Sequence, residues 1–310
     1  MSLHTILGAG GSVGNELVPV LLSNNERVRL VSRKPIIVEG TEHFVADLTN
    51  FEQTLNAVKG SSVVYLLVGL KYDSRVWETT WPTIMTNTIN ACKQTNAKLI
   101  FIDNVYMYGK VDGVMTEETA FNPCSKKGKI RAAIATQLLN EMNAGNIKAL
   151  IARGADFYGP CGDKTSMPNI LVFSNLYKKK KAQWLSNLNL PHSFTFVPDI
   201  AKALYLLAND ETAFGQTWHL PTKAKTLTGK EFIELSAKAF NQSNGVFVFP
   251  KWMVAMVGMF NRDIFEIKEM LYQNEFSYFF DSSKFEKHFS FSPTSYEEGI
   301  KKTAEYYFQK

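Results

Sequence analysis

Residues 101–110, FIDNVYMYGK, contain a tyrosine and a lysine four positions apart, Tyr106 and Lys110. Such a pair could transfer a proton, because a phenol with a pKa of about 10 is a poor base at neutral pH and a neighbouring ammonium group stabilises its phenolate. The two side chains share one face only if the segment is helical. The sequence that follows, GKVDGVMTEET, is typical of a loop, so we do not expect Tyr106 and Lys110 to act as a pair.

A glycine-rich turn near the start of the chain could bind a phosphate group. A predicted strand at 4–7 runs into GAGGSVG, residues 8–14, and a predicted helix at 13–23 follows. Glycines permit positive φ and leave backbone N–H groups open to a pyrophosphate, while the helix N-terminus adds a favourable dipole. This strand, turn and helix predict a dinucleotide site that includes Gly8, Gly11, Ser12, Val13 and Gly14.

The end of the second predicted strand, 27–31, bears on which dinucleotide is bound. Ser32 and Arg33 follow that strand, in place of the acidic residue that would bond the ribose hydroxyl of NAD. A hydroxyl and a guanidinium suit a 2′-phosphate, so we predict NADP in preference to NAD. Asp47 and Leu48 follow the third strand. We expect the Asp47 carboxylate to accept a hydrogen bond from the adenine amino group, to cap the helix at 50–58, or both.

Strand-like and helix-like segments alternate through the first half of the chain. The apolar, strand-like runs are 4–7, 27–31, 42–46, 62–67, 98–102 and 147–152. The amphipathic segments between them are 13–23, 50–58, 76–95 and 126–144. This alternation predicts βαβ units and a parallel sheet that is buried on both faces. The second half is less regular and is expected to form a smaller lobe.

Composition limits the possible classes of function. The chain has 310 residues, of which 45% are hydrophobic, enough for one large domain or two unequal lobes. A net charge of +5 without aromatic or motif support predicts no nucleic-acid partner. The apolar runs are too short to span a membrane, and no signal peptide is evident. Three widely spaced cysteines match no metal site and favour a reducing compartment, so we expect a cytoplasmic protein without a metal.

Several motifs together resemble the extended short-chain dehydrogenases, the nucleoside-diphosphate-sugar epimerases, dehydratases and their relatives. Besides the glycine turn they are ADL at 46–48, YMYG at 106–109, RGADFYGP at 153–160 and FVPDIAKAL at 196–204. The chain resembles most an atypical subgroup whose catalytic residues vary. The resemblance covers nearly the whole chain and implies an α/β fold, a Rossmann doubly wound parallel sheet with a smaller C-terminal α/β substrate lobe.

The resemblance also implies where the two domains divide. The NAD(P)-binding Rossmann domain is expected at 1–165, with 193–210 returning to it. The smaller substrate-binding lobe is expected at 166–192 and 211–310. Helices 76–95 and 126–144 commonly form the dimer interface in the family, so a homodimer through them is expected. The segment 261–276 is expected to form part of a lid, with no role assigned to residues within it.

The family's mechanism places three residue types in the active site. A tyrosine is the acid/base, a lysine four residues later lowers its pKa and holds the nicotinamide ribose, and an upstream serine or threonine polarises the substrate oxygen. Here Asn104 falls on the serine position and Lys129 on the lysine position, but Ser125 stands where the tyrosine is expected. Dehydratases of the family carry an Asp-Glu pair where this chain has Val105 and Tyr106, which argues against dehydratase chemistry.

We therefore predict Asn104, Tyr106 and Lys129 as catalytic residues, with Lys129 also contacting the cofactor. Tyr106 could replace the missing acid/base or form an aromatic wall of the substrate pocket. The resemblance further implies cofactor contacts at Gly69 and Tyr158. Substrate contacts are expected at Tyr106, Asp156 and His192, although a lone histidine is more often structural.

Two functions of different class fit this sequence. The first is an NAD(P)(H)-binding oxidoreductase or epimerase that acts on a carbonyl or carbinol, such as that of a nucleotide sugar. The second is a non-catalytic dinucleotide sensor or regulatory protein, which the serine at 125 and the asparagine at 104 would suit. The sequence does not identify the substrate.

Overall fold

Strands and helices alternate through the first half of the chain, as the sequence predicts. The computed structural model describes residues 1–163, 165–243 and 245–310. Its strands are β1 (Leu3–Leu7), β2 (Arg27–Ser32), β3 (Thr41–Val45), β4 (Val63–Leu66), β5 (Lys98–Asp103), β6 (Val114–Met115), β7 (Ala149–Arg153), β8 (Asp156–Tyr158), β9 (Ala182–Leu185), β10 (Pro191–His192), β11 (Phe194–Phe196), β12 (Thr217–His219), β13 (Leu227–Thr228), β14 (Val246–Phe249) and β15 (Phe279–Phe280). Its α-helices are α1 (Ser12–Ser23), α2 (Phe51–Val58), α3 (Ser74–Thr95), α4 (Lys126–Asn143), α5 (Ser174–Tyr177), α6 (Val197–Asn209), α7 (Gly229–Ala239), α8 (Lys251–Gly258), α9 (Arg262–Lys268), α10 (Ser283–Phe289) and α11 (Tyr296–Phe308).

Seven strands form one parallel sheet in the order β12-β7-β5-β4-β1-β2-β3. Strand β1 lies where the chain order reverses, since Ile6 pairs with Leu30 of β2 on one side and with Tyr65 of β4 on the other. In such sheets ligands bind in the crevice beyond the carboxyl ends of the strands at this point of reversal. The predicted doubly wound α/β fold is confirmed, and its crevice begins beyond Leu7 and Leu66.

Helices cover both faces of the sheet and produce two apolar cores. On one face α2, α3 and α4 pack against β-strand residues that include Leu99 and Phe101. On the other face α1 and α6 pack around Ile6 and Leu150. Strands β1, β4 and β7 are buried along their whole length, which explains their unbroken apolar runs.

Aromatic side chains form the core of the smaller lobe. Phe173, Phe194, Phe232 and Tyr296 surround the ring of Tyr158 in this core. Helices α7 and α11 pack on it, and β9 pairs with β14 in parallel. Thr228 accepts a hydrogen bond from the Glu231 N–H and completes a capping box, so a local sequence signal defines where α7 begins.

Segments that follow the predicted boundary at residue 210 still belong to the lobe that contains the large sheet. Strand β12, from the second half, pairs in parallel with β7 at its edge. Trp218 of that strand packs with Phe285 of α10 in the core beneath α1 and α6. The predicted assignment of 211–310 to the smaller lobe therefore needs correction, because β12 and α10 complete the larger one.

The longest helix is α3, with 22 residues, and it is largely polar because threonines and asparagines recur along it. Within the described ranges, we find no helix with both the length and the apolar character that a membrane crossing needs.

Candidate functional site

The glycine turn has the backbone shape that a phosphate-binding loop requires. Gly8 and Gly10 have φ of +89° and +92°, and a Cβ on Gly8 would lie 2.7 Å from the Cα of Val68. The N–H groups of Gly8 and Ala9 donate to the carbonyl oxygen of Val31, which ties the turn to β2. Only glycine fits at position 8. Gly10 also has a left-handed conformation that favours glycine, and the predicted motif of Gly8, Gly11 and Gly14 does not include it.

The N-terminus of α1 is available to an anion. Gly11 occupies the N-cap position without a side-chain hydrogen bond, and the first intrahelical bond runs from the Asn15 N–H to the Gly11 carbonyl. The N–H groups of Ser12, Val13 and Gly14 therefore point out of the first turn without helical acceptors. This arrangement fits a pyrophosphate, which such a helix end stabilises.

The residues at the end of β2 are only partly free. The Ser32 hydroxyl donates to the Lys34 carbonyl, whereas Arg33 is exposed and forms no ion pair within the described part of the chain. A cavity of about 280 Å³ lies beside the glycine turn, with Ile36 and Val38 of the following loop in its wall. Arg33 is thus the more available of the two predicted 2′-phosphate ligands.

Asp47 shapes a turn instead of capping a helix. Its carboxylate accepts hydrogen bonds from the N–H and hydroxyl of Thr49 at 2.9 and 2.8 Å, and these bonds lower its pKa. Asn50 caps α2 by accepting from the Gln53 N–H. The helix-cap interpretation of Asp47 is therefore wrong, and the exposed carboxylate keeps the adenine interpretation open. Leu48 is buried beside it and accepts from Asn87 through its carbonyl.

Two further predicted cofactor contacts differ in their surroundings. Gly69 is exposed on the loop after β4, with open space where a Cβ would stand. Tyr158 is 1% exposed, and its hydroxyl approaches Gly299 of α11 so closely that a Cβ there would lie 2.3 Å away. The prediction for Tyr158 needs correction, because its side chain belongs to the aromatic core and faces away from the crevice.

The segment around Tyr106 forms a single 3₁₀ turn, Tyr106–Tyr108, instead of a helix. Asn104 organises the turn, since its Oδ1 accepts from the Tyr106 N–H at 3.0 Å. Asp103 before it is buried and bound by Arg131 of α4 at 2.7 Å. Lys110 is exposed and lies 4.8 Å from the ring of Phe276, so it does not pair with Tyr106.

A pocket of about 60 Å³ brings three predicted substrate residues together. Tyr106, Asp156 and His192 line it, although they come from the turn after β5, the start of β8 and the end of β10. The pairing of β8 with β11 brings Asp156 opposite Phe194, and His192 stands two residues before Phe194 at the end of β10. The sequence did not predict the other walls, which are Tyr72, Met167, Pro168, Leu171, Trp184, Leu185, Phe194, Ile267, Met270, Gln273 and Asn274.

Asp156 and His192 form a hydrogen-bonded pair at the pocket. His192 Nε2 lies 2.9 Å from Asp156 Oδ2, and the histidine ring stacks on Tyr278 with centroids 4.3 Å apart. His192 is buried, while the Asp156 side chain is 27% exposed. The stacking and the carboxylate hold the imidazole in one orientation, as in many acid/base pairs.

The tyrosines of the pocket are protonated phenols. Burial raises the pKa of Tyr106, and the nearby charge of Asp156 raises it further. Burial raises the pKa of Tyr72 well above its ordinary value in the same way. Both side chains can therefore donate a hydrogen bond or a proton to a substrate oxygen, but neither is a ready base at neutral pH.

In the first turn of α4, the lysine next to the pocket is Lys127 and not the predicted Lys129. Lys127 is fully buried, and its ammonium lies 4.4 Å from the ring centroid of Tyr72, a wall of the pocket. Lys129 is exposed and stands two residues later, about 200° around the helix. The prediction of Lys129 as the catalytic and cofactor-binding lysine needs correction, because its side chain faces away from this pocket.

Lys127 is fully occupied by the segment 262–275, which we call the lid segment. Its ammonium donates to the Glu266 carbonyl at 3.1 Å, to a Glu266 carboxylate oxygen, and to Glu269 Oε1 at 2.7 Å. A lysine has three donors, and all three are used here. Glu266 also accepts from the N–H of Ser74 at 2.9 Å and pairs with Arg262. The lid segment, which lies within the region 261–276 that the sequence analysis expects to form part of a lid, is thus fastened to α3 and α4.

Ser125, which stands where the family tyrosine is expected, is the N-cap of α4. Its Oγ accepts from the Gly128 N–H at 3.0 Å. The side chain is buried and engaged with the helix that it begins. The serine that stands in place of the family tyrosine therefore has a structural role, the capping of α4.

Fold and glycine turn together define the class of protein, a doubly wound α/β protein with a dinucleotide-type phosphate loop. The profile of the NAD dependent epimerase/dehydratase family matches residues 4–219. The chain belongs to the NAD dependent epimerase/dehydratase family. Membership confirms the predicted resemblance and favours an NAD(P)-binding oxidoreductase or epimerase over a non-catalytic dinucleotide sensor.

Solved structures share the fold at low sequence identity. The UDP-glucose 4-epimerase of Thermus thermophilus, in complex with NAD, superposes with a TM-score of 0.81 at 16% identity over 99% of both chains. MoeE5 in complex with UDP-glucuronic acid and NAD superposes with a TM-score of 0.80 at 18% identity, over 100% of this chain and 99% of that chain. The dTDP-glucose 4,6-dehydratase of Bacillus anthracis str. Ames, in complex with NAD, superposes with a TM-score of 0.80 at 14% identity, over 100% of this chain and 97% of that chain. Among curated protein sequences no match is found.

Proposed function

We propose that the protein binds a nicotinamide dinucleotide along the carboxyl edge of the sheet and acts as an oxidoreductase or epimerase on a carbonyl or carbinol. The observation that carries this proposal is the pocket in which Tyr106, Asp156 and His192 meet. Tyr106 follows the carboxyl end of β5, at the edge of the sheet where open α/β folds bind their ligands. The bound dinucleotide would accept or donate the hydride.

The residues proposed to hold the cofactor fit its parts. The glycine turn and the first N–H groups of α1 suit the pyrophosphate. Asp47 and Leu48 border the place for adenine, and Gly69 leaves the loop after β4 open. Similar structures contain NAD. Our preference for NADP rests on Arg33, an exposed guanidinium without an ion pair among the described residues.

The pocket residues supply the proton chemistry in this proposal. Tyr106, as a neutral phenol, donates to the substrate oxygen when a carbonyl is reduced. The Asp156–His192 pair resupplies this proton to Tyr106, and when a carbinol is oxidised the same proton path runs in reverse, from the carbinol through Tyr106 to the pair. Asn104 keeps its side-chain NH₂ group for a hydrogen bond, since its oxygen is used by the turn. Neither Lys127, with its donors occupied, nor Lys129, which faces outward, completes the family's tyrosine–lysine pair.

A titration with NADPH and with NADH, followed by nicotinamide fluorescence, tests the proposal first. We expect binding of both, and tighter binding of NADPH. A screen of carbonyl compounds for oxidation of the bound cofactor, followed by absorbance at 340 nm, tests turnover. Failure of both dinucleotides to bind would overturn the proposed function. Tighter binding of NADH would overturn only the role of Arg33.

We further propose a homodimer through α3 and α4. Their outward face carries small and polar side chains, Thr79, Thr83 and Thr86 from α3 with Ala133 and Thr136 from α4. Such a face allows the helices of a second copy to approach closely. The free thiols of Cys92, Cys124 and Cys161 support the proposed cytoplasmic location.

A further inference from the structure

The charged groups of the pocket are unlike those of a phosphate site. Among the described residues that line it, the titratable side chains are Tyr72, Tyr106, Asp156 and His192, and none is lysine or arginine. With Asp156 ionised, the Asp156–His192 pair has a net charge of zero or −1, whichever state the histidine adopts. A phosphate group is normally held by lysine, by arginine or by an open helix N-terminus.

The cations next to the pocket are already neutralised. Lys127 gives all three donors to Glu266 and Glu269. Arg262 pairs with Glu266 and with Asp73 at 3.2 Å. These pairs hold the lid segment in place, so an incoming anion would have to break them. Their charges are therefore not available to a substrate.

The N-terminus of α4, whose Lys127 lies against the pocket wall Tyr72, is also occupied. At α4, Ser125 accepts from the Gly128 N–H, and Glu269 Oε2 accepts from the Lys126 N–H at 2.8 Å. A carboxylate thus sits where a phosphate would use the helix dipole. A diphosphate here would meet negative charge from both Glu269 and Asp156.

The remaining walls are apolar, and the space is small. Leu171, Trp184, Phe194, Ile267 and Met270 form most of the lining. The volume of about 60 Å³ corresponds to roughly four to six water molecules at 10–15 Å³ each. Apolar walls with a few convergent polar groups are typical of sites for small organic ligands.

We infer that this pocket accepts a small, uncharged and mostly apolar carbonyl or carbinol compound, and not a nucleotide diphosphate sugar. The inference rests on the proposed function for the reaction type. It would separate this chain from the sugar-nucleotide enzymes whose fold it shares, since a shared fold leaves the side chains of the pocket free to differ. Tyr106 and the Asp156–His192 pair would hold the single oxygen of the substrate.

The test compares matched compounds on the full-length protein in the presence of NADPH or NADH. The probes are benzaldehyde, 4-carboxybenzaldehyde and UDP-glucose, with reduction followed at 340 nm and binding followed by isothermal titration calorimetry. We expect kcat/KM for benzaldehyde to exceed that for the carboxylate by about ten-fold or more, because the anion is placed near Asp156. We expect no measurable binding of UDP-glucose.

A substitution links the result to the pocket. In Asp156→Asn the preference for the neutral aldehyde should shrink several-fold, whereas Asp263→Asn, on the exposed side of the lid segment, should leave it unchanged. Binding or turnover of UDP-glucose at micromolar concentrations, or equal use of the two aldehydes, would overturn the inference.

The calorimetric arm separates this inference from the proposed function. If the dinucleotides bind and benzaldehyde binds without reduction, the reaction type fails while the substrate class stands. If UDP-glucose binds and benzaldehyde does not, the substrate class fails whatever the reaction. Absence of binding by all three probes would also overturn the inference.

Discussion

Tyr106 stands at the centre of the proposed chemistry. It is a neutral phenol, partly buried between Tyr72 and Trp77, with the Asp156 carboxylate near enough to raise its pKa. The lysine that would stabilise a phenolate is absent from its described surroundings, since Lys127 is bound to the lid segment. Its chemistry is therefore that of a donor.

Replacing Tyr106 by phenylalanine removes the proposed donor and leaves the ring. We expect Tyr106→Phe to lower kcat by about 10²–10⁴-fold with little change in cofactor affinity, which is the range for general acid catalysis. Tyr177→Phe, on the distant surface of the smaller lobe, is the matched control. An unchanged kcat in Tyr106→Phe would make this tyrosine a pocket wall only.

Lys127 and Lys129 differ in burial although they are two residues apart on α4. Removing Lys127 leaves the buried Glu266 carboxylate without its main partner, so we expect Lys127→Met to lower the free energy of unfolding by about 3–5 kcal/mol. Lys129→Met, at an exposed site, should change it by less than about 0.5 kcal/mol. Urea denaturation measures both.

Equal stability of the two lysine variants would contradict the assignment of the buried ion pair to Lys127. Because Lys127→Met also loosens the lid segment, limited proteolysis provides a second measurement. We expect faster cleavage within 262–275 in this variant than in Lys129→Met.

At the scale of elements, α4 joins the sheet to the lid segment. Its N-terminus is capped by Ser125, its first turn holds the lid segment through Lys127, and Arg131 one turn later binds Asp103 at the end of β5. One helix face thus connects the strand edge, the turn of Tyr106 and the wall of the pocket.

The cap of α4 can be tested without altering the pocket. Ser125→Ala should lower stability by about 1 kcal/mol, because the Gly128 N–H loses its acceptor. Ser125→Asn retains an acceptor and should stay within a few tenths of a kcal/mol of the unaltered protein. Thermal unfolding monitored by circular dichroism distinguishes them. Equal losses in both variants would show that Ser125 acts through packing and not as a cap.

At the scale of the whole molecule, a buried polar network joins the sheet to the C-terminal segments. His219 of β12 lies 2.9 Å from the Tyr108 hydroxyl through Nε2 and 2.8 Å from the Asp281 carbonyl through Nδ1. Burial lowers the pKa of His219 to about 3, so the folded protein keeps the ring neutral.

The pH dependence of stability follows from this neutral histidine. Below pH 6.5 the unfolded chain binds a proton at position 219 that the folded protein does not, so stability falls as pH decreases toward 3. Between pH 7.5 and 5.5 the free energy of unfolding of the unaltered protein should fall by about 1.4 kcal/mol more than that of His219→Gln, whose side chain cannot titrate. Urea denaturation at the two pH values gives the difference. An equal fall in the free energy of unfolding of both proteins would show that a residue other than His219 causes the pH dependence.

Oligomeric state is the second property at this scale. If α3 and α4 form the interface, Ala133→Arg should convert a dimer of the unaltered protein to a monomer, because a guanidinium would be forced between close helices. Ala133→Ser is the matched small substitution and should leave the dimer intact. Sedimentation velocity measures both. A monomeric unaltered protein would refute the proposed interface.

Local signals allowed the sequence by itself to determine the fold class and the phosphate loop. The period of the apolar residues defines strands and helices, and the positive φ of Gly8 and Gly10 after β1 is a requirement of the local backbone. The capping box of α7 is likewise local. Such features depend on neighbours in the chain, which is why they could be predicted.

Only the tertiary structure decided which groups meet at the pocket. Lys127 and Lys129 are equivalent in the sequence, and helix geometry together with the distant Glu266 buries one and exposes the other. Tyr158 lies in a family motif, yet the aromatic core of the smaller lobe encloses it. Asp156 and His192 meet because β8 pairs with β11, which is distant in the chain, and His192 lies two residues before β11. Contacts between distant segments leave no local signal, so the charges available to a substrate became evident only in the folded chain.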